Sequence, residues 1–237
     1  MKKIFFILII LNFVCLSPQA STTADTDLRA ACEDLSVDPE IIFYTSYGKL
    51  RYDKTLARPQ LSALGRKFGI FEEGALASGL ALVDVASEYQ LNTESRPMIN
   101  GAVCIIPQQL TVYIGFQNPV IYLARDLQPD TCLYNLVVRH EQVHQQINVN
   151  ALEYFIPQIY QQVKGIVAAM RPMYVSTPKL AKSGTYDMTA FYAKQINDVV
   201  DNFKQAILAE QHKLDNRKQY QMESDICTNF NNTKRQH

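Results

Sequence analysis

The sequence predicts an α+β domain in which a small mixed or antiparallel sheet packs on two long helices. Three patterns carry that expectation. Leu110, Val112, Ile114 and Phe116 alternate with Thr111, Tyr113 and Gly115, the period of a half-buried strand. Leu133, Val137, His140, His144, Ile147 and Ala151 recur at spacings of three or four, the stripe of an amphipathic helix. A second helical pattern extends from about Asp187 to Ser224.

The chain begins with a different signal. Lys2 and Lys3 precede the apolar run Ile4 to Leu11, and Ser17-Pro18-Gln19-Ala20 closes it with small residues. This is the layout of a secretory signal peptide, 1–20, and the run is shorter than the roughly 20 apolar residues of a membrane-spanning helix. Asn12-Phe13-Val14 ahead of Cys15 lacks the small residues of a lipidation site. Cleavage after Ala20 leaves one domain over 21–227 and a polar tail at 228–237, with no stable membrane anchor. The whole chain carries 23 basic and 23 acidic side chains, so removing Lys2 and Lys3 leaves 21 against 23. That balance offers a nucleic acid no electrostatic footing. Cys32, Cys104, Cys132 and Cys227 remain, with no C-x-x-C pair among them. In an exported chain an even set predicts two disulfides, with three pairings open.

Residues 26–35 and 59–68 are expected to form short helices, with strands at Ile41 to Tyr44 and Leu80 to Tyr89. Gln117-Asn118-Pro119 suggests a turn, which would make a hairpin of the runs ending at Phe116 and beginning at Val120. Asp130 is the expected N-cap of the first long helix, starting near Thr131. Pro157 is the place for a kink in it, and Arg171 to Thr185, with Pro172, Pro178 and Gly184, is expected to be a loop.

The first helix carries His140-Glu141-Gln142-Val143-His144. Residues four apart lie about 40° from each other around a helix, so both imidazoles can address one metal ion. In zinc hydrolases with this H-E-x-x-H spacing the glutamate takes a proton from water activated by the metal. Histidines paired only for packing are the bland alternative.

On these five residues the chain resembles the zincin metallopeptidases. A looser likeness to bacterial secreted zinc-dependent proteases extends from about Cys104 to Cys227. The resemblance implies a mixed sheet against the active-site helix and a peptide or protein substrate extended along an edge strand. Metzincins have glycine and histidine where this chain has Ile147 and Asn150, so the third zinc ligand must come from elsewhere. Glu210 is the favoured candidate, because it interrupts the apolar series Val199, Phe203, Ile207, Leu214, and a carboxylate on a buried face needs a partner. That is similar to the gluzincin arrangement, although Leu214 stands where those enzymes have an aspartate. Glu153 is the alternative if the first helix breaks near Asn148 to Asn150. His212 falls on the opposite face of its helix, while Tyr174, Tyr186 and Arg217 are lesser candidates for stabilising an intermediate.

The expected function is therefore a secreted or periplasmic zinc metallopeptidase, with His140, His144 and Glu210 on zinc and Glu141 as base. A zinc amidase acting on a non-protein envelope substrate and an inactive exported binding protein are the competing readings.

Overall fold

The structure, a computed structural model, describes residues 23–35, 37–71, 73–74, 76–215, 221–222 and 225–227. The expected leader and tail and Arg217 lie outside them. Nine main elements follow in chain order: α1 (Thr23–Glu33), β1 (Glu40–Ser46), β2 (Arg51–Asp53), α2 (Arg58–Lys67), β3 (Gly79–Pro97), β4 (Val103–Leu123), α3 (Cys132–Ala168), β5 (Met173–Val175) and α4 (Ala181–Leu214).

β4 is the axis of an open mixed sheet. β3 pairs antiparallel along its length, from Gly79↔Leu123 to Pro97↔Val103. Three short strands share its other edge end to end: β5 antiparallel at 103–105, β1 parallel at 109–115 and β2 parallel at 120–122. The hairpin expected around Gln117-Asn118-Pro119 does not form, because β4 runs straight through it. Leu82 pairs with Val120 and Asp84 with Gln117, so β4 carries one extra residue there, a bulge with Asn118 at φ 49°. The bulge falls between the end of β1 and the start of β2, where the missing N–H of Pro119 removes no ladder bond. The real reversal joins β3 to β4 through Asn100 (φ 66°) and Gly101 (φ 78°), two residue types that tolerate the left-handed conformation.

α3 and α4 form an antiparallel helical hairpin on the sheet. Leu110, Val112, Ile114 and Phe116 of β4, at most 2% exposed, meet Leu152, Ile159 and Val163 of α3 and Ile196, Val200 and Phe203 of α4 in one core. The cap of α3 is Thr131 rather than Asp130. The Thr131 hydroxyl accepts from the Tyr134 amide, a contact worth about 1 kcal/mol, while Asp130 takes a left-handed conformation (φ 59°). The helix continues through Pro157 to Ala168. The loop expected over 171–185 instead holds β5 and the first turn of α4. Gly184 does not break that helix; it lets it approach the sheet, since a Cβ there would lie 2.6 Å from Ile105 Cδ1. Regular helix in α4 ends at Leu214, short of Ser224, and helical residues resume at 221–222 and 225–227.

The four cysteines pair as Cys32–Cys104 and Cys132–Cys227, with Cα separations of 5.7 and 5.5 Å. The first fastens α1 to β4. The second ties the start of α3 to the segment that follows α4. Among the described residues no helix is long and apolar enough to cross a membrane.

Candidate metal centre

The buried stripe of α3 is rotated from the expected one: Leu133 is 45% exposed, whereas His140, Glu141, His144, Gln145, Asn148 and Leu152 are buried. Two faces of the helix therefore matter. One sends His140 and His144 toward the end of α4, and the neighbouring position sends Glu141 toward the start of β3.

His140 Nε2 and His144 Nε2 lie 3.0 Å apart, and Asp215 Oδ1 lies 3.2 Å from the first and 3.1 Å from the second. Asp215 is the first residue beyond the regular turns of α4. A carboxylate at the C-terminal end of a helix faces the unfavourable end of the dipole, an effect of about 0.3–1 kcal/mol. Its position is explained by what it meets and not by helix stability.

Gln211, one turn earlier, orients His144. Its side-chain nitrogen donates to the His144 carbonyl at 3.0 Å and to Asn148 Oδ1 at 2.7 Å, leaving its oxygen to accept from His144 Nδ1. The Nδ1 proton is thereby fixed, and in the neutral ring Nε2 presents a lone pair toward His140 and Asp215.

Glu141 is 6% exposed. Burial pushes its carboxyl up to about 7, against the lowering pull of His144 and His140; Asp215 adds to the rise, and the Ala81 amide opposes it by donating to the carboxylate. Gly79 makes room for it, because a Cβ there would lie 2.5 Å from Glu141 Oε1 and 2.7 Å from Val137 Cγ1. For His144, burial favours the neutral ring, but the hydrogen bond and charge of Asp215, with smaller contributions from Gln211 and Glu141, raise its pKa overall.

The three converging atoms form a triangle with sides of 3.0, 3.1 and 3.2 Å. A tetrahedral ion with bonds of about 2.0–2.1 Å spaces its ligand atoms about 3.3–3.4 Å apart, so the set fits after a few tenths of an ångström of spreading. Two imidazoles and one carboxylate are a donor set that could hold a metal ion, and differ from the all-oxygen sets of calcium and magnesium. No protein-family model, curated protein or solved structure matches this chain. The local chemistry therefore has to carry the functional argument.

The other expected site residues lie elsewhere. Glu210 is exposed on α4 and pairs with Lys213, so the structure does not bring it to the histidines. Glu153 is also exposed, and accepts a hydrogen bond from the Tyr47 hydroxyl at 3.1 Å. Tyr174 bonds to Asp25 beneath Arg29, away from the centre, and Tyr186 is 73% exposed. His212 is exposed, as its helical position predicts, and borders the cavity beside the centre. Asp215, Gln211, Asn148 and the Gly79–Ala81 cradle were not anticipated. The available signal was polarity continuing an apolar stripe: Phe203, Ile207, Gln211 and Asp215 are spaced four apart on α4 and its cap.

Proposed function

We propose that this chain is an exported zinc-dependent hydrolase that cleaves peptide bonds, with a site of zincin type. The observation that carries the reading is the convergence of His140 Nε2, His144 Nε2 and Asp215 Oδ1, all within 3.2 Å of one another, beside buried Glu141. Asp215 takes the role first expected of Glu210. The paired cysteines support an oxidising, secreted or periplasmic setting.

A bound zinc ion supplies Lewis acidity, lowering the pKa of water toward neutrality and polarising a carbonyl oxygen. Glu141 takes a proton from the attacking water and delivers it to the leaving amine. A carboxyl held near neutrality suits both transfers, because it accepts and releases a proton at comparable cost. The Ala81 amide holds that carboxylate in place, and Gln211 keeps the His144 ring in one tautomer and orientation.

A peptide substrate is favoured by the cavity next to the site. Six consecutive residues of β3, Leu80 to Val85, border it. Among the described strands β3 pairs only with β4, so its other edge carries no strand, and backbone groups there can pair with an extended chain.

The test is Glu141→Gln assayed on a peptide mixture cleaved by the parent protein. It keeps the side chain's size, so zinc content should stay unchanged while hydrolysis falls at least about a hundredfold. Full activity in this variant would refute the mechanism.

A further inference from the structure

The cavity beside the metal centre has a second property, its apolar lining. It measures about 340 Å³ and extends from Glu141, His144 and Asp215 to the turn after α2. Leu80 and Leu82 form the β3 wall, Ile207 and Leu208 the α4 wall, and Phe68 and Phe71 close the far end. Phe71 is held by close packing, its ring occupying the space a side chain would need at Gly65.

Two of these residues are not accounted for by core packing. Leu208 is 47% exposed and Phe68 is 51% exposed, although both are large and apolar. They border one cavity from two different elements, the arrangement of a binding surface and not of scattered surface residues. The charged side chains of the lining are Asp84, Lys204, Glu141 and Asp215; the last two belong to the centre, and Lys204 is engaged with Asp201 at 3.0 Å.

Size narrows the occupant. Pockets for whole small ligands range from about 300 to 1,000 Å³, and a cavity of about 150 Å³ admits benzene. This one stands near the lower bound, enough for one large apolar side chain and the backbone on either side. Because the lining follows the edge of β3, a linear chain with a projecting group fits better than a compact molecule.

Resting on the hydrolase reading, we infer that this cavity selects peptides carrying a large apolar side chain, phenylalanine or leucine, next to the bond that is cut. Leu208 and Phe68 are its specificity-determining residues. Neither side chain carries an atom that could ligate a metal, so changing them alters which side chain is accepted and leaves the metal in place.

The test uses the zinc-loaded full mature chain and blocked alanine pentapeptides with Phe, Leu, Gln, Lys or Asp at the central position. Mass spectrometry reads cleavage beside that position. Calorimetry of the Phe and Lys peptides on the Glu141→Gln protein reads binding without turnover. The parent should prefer Phe and Leu over Lys by about tenfold or more, the scale of discrimination by an apolar pocket. Leu208→Asp and Phe68→Asp should each reduce that ratio at least about tenfold in both readouts, with zinc content unchanged; both positions are exposed enough to tolerate a polar side chain. Cleavage with a ratio that neither variant moves would overturn the pocket assignment and leave the hydrolase standing. Absence of cleavage from every peptide would overturn the hydrolase reading, and the pocket would then stand or fall on the calorimetry alone. Binding of decanoate with no binding of the Phe peptide would overturn it in favour of an acyl-chain site.

Discussion

At the scale of single residues, Glu141 is placed by what surrounds it. Gly79→Ala puts a methyl group where the Glu141 carboxylate now lies. The expected result is a folded protein with normal zinc content and hydrolysis reduced by about tenfold or more, since a displaced base loses most of a contribution that is itself about a hundredfold or greater. Unchanged activity, measured with zinc content on the same sample, would remove Gly79 from the account. The two raised pKa values give a prediction for the metal-free protein. Glu141 and His144 both hold protons more tightly in the folded chain, so their contribution to stability is fully present below the unfolded values. It is lost as pH rises, for Glu141 between 4.5 and about 7 and for His144 above 6.5. Urea unfolding in a chelator should therefore show a midpoint that falls from pH 5 to pH 8, and added zinc should restore it. A midpoint that rises with pH would contradict the burial of these groups. His140, Glu141 and His144 were legible in the sequence because four-residue spacing on a helix fixes their geometry locally. Gly79 was not legible, since a glycine at the start of a strand gives no sign of what fills the space it leaves.

At the scale of elements, the centre depends on how the end of α4 is held against α3. Asp215 meets His140, and twelve residues later Cys227 is bonded to Cys132, eight residues before His140 on the same helix. Both ends of this connecting segment are thereby anchored within about 12 Å of helix length. A Cys132→Ser, Cys227→Ser double variant should weaken zinc binding on the order of tenfold, as when a ligand loses its orienting support. Competition with a chromogenic chelator would measure it, and equal affinity would show that the disulfide plays no part in holding Asp215. The helices were legible from their stripes, though α3 lies turned so that Glu141 is buried as well. The strand pairing was legible in part. Gln117-Asn118-Pro119 has turn residues but occupies a gap between two partner strands, while Asn100-Gly101, the stronger hairpin signal, makes the actual reversal.

At the scale of the whole molecule, an open mixed sheet, a helical hairpin and two disulfides bring residues from three distant stretches to one place. The α+β class was legible, because periodicity reports which faces are apolar. The third member of the metal set was not, because His140 and Asp215 are 75 positions apart and only the packing of α4 on α3 decides which carboxylate arrives. Glu210 and Asp215 differ by five residues, which on a helix turns them about 140° apart. The central claim is that Asp215 completes the centre. Zinc per chain should be measured on purified parent, Asp215→Ala and Glu210→Ala proteins after equilibration with limiting zinc and a competing chelator. One ion per chain in the parent and in Glu210→Ala, with little or none in Asp215→Ala, is the predicted result; full zinc in Asp215→Ala, or its loss in Glu210→Ala, would contradict it.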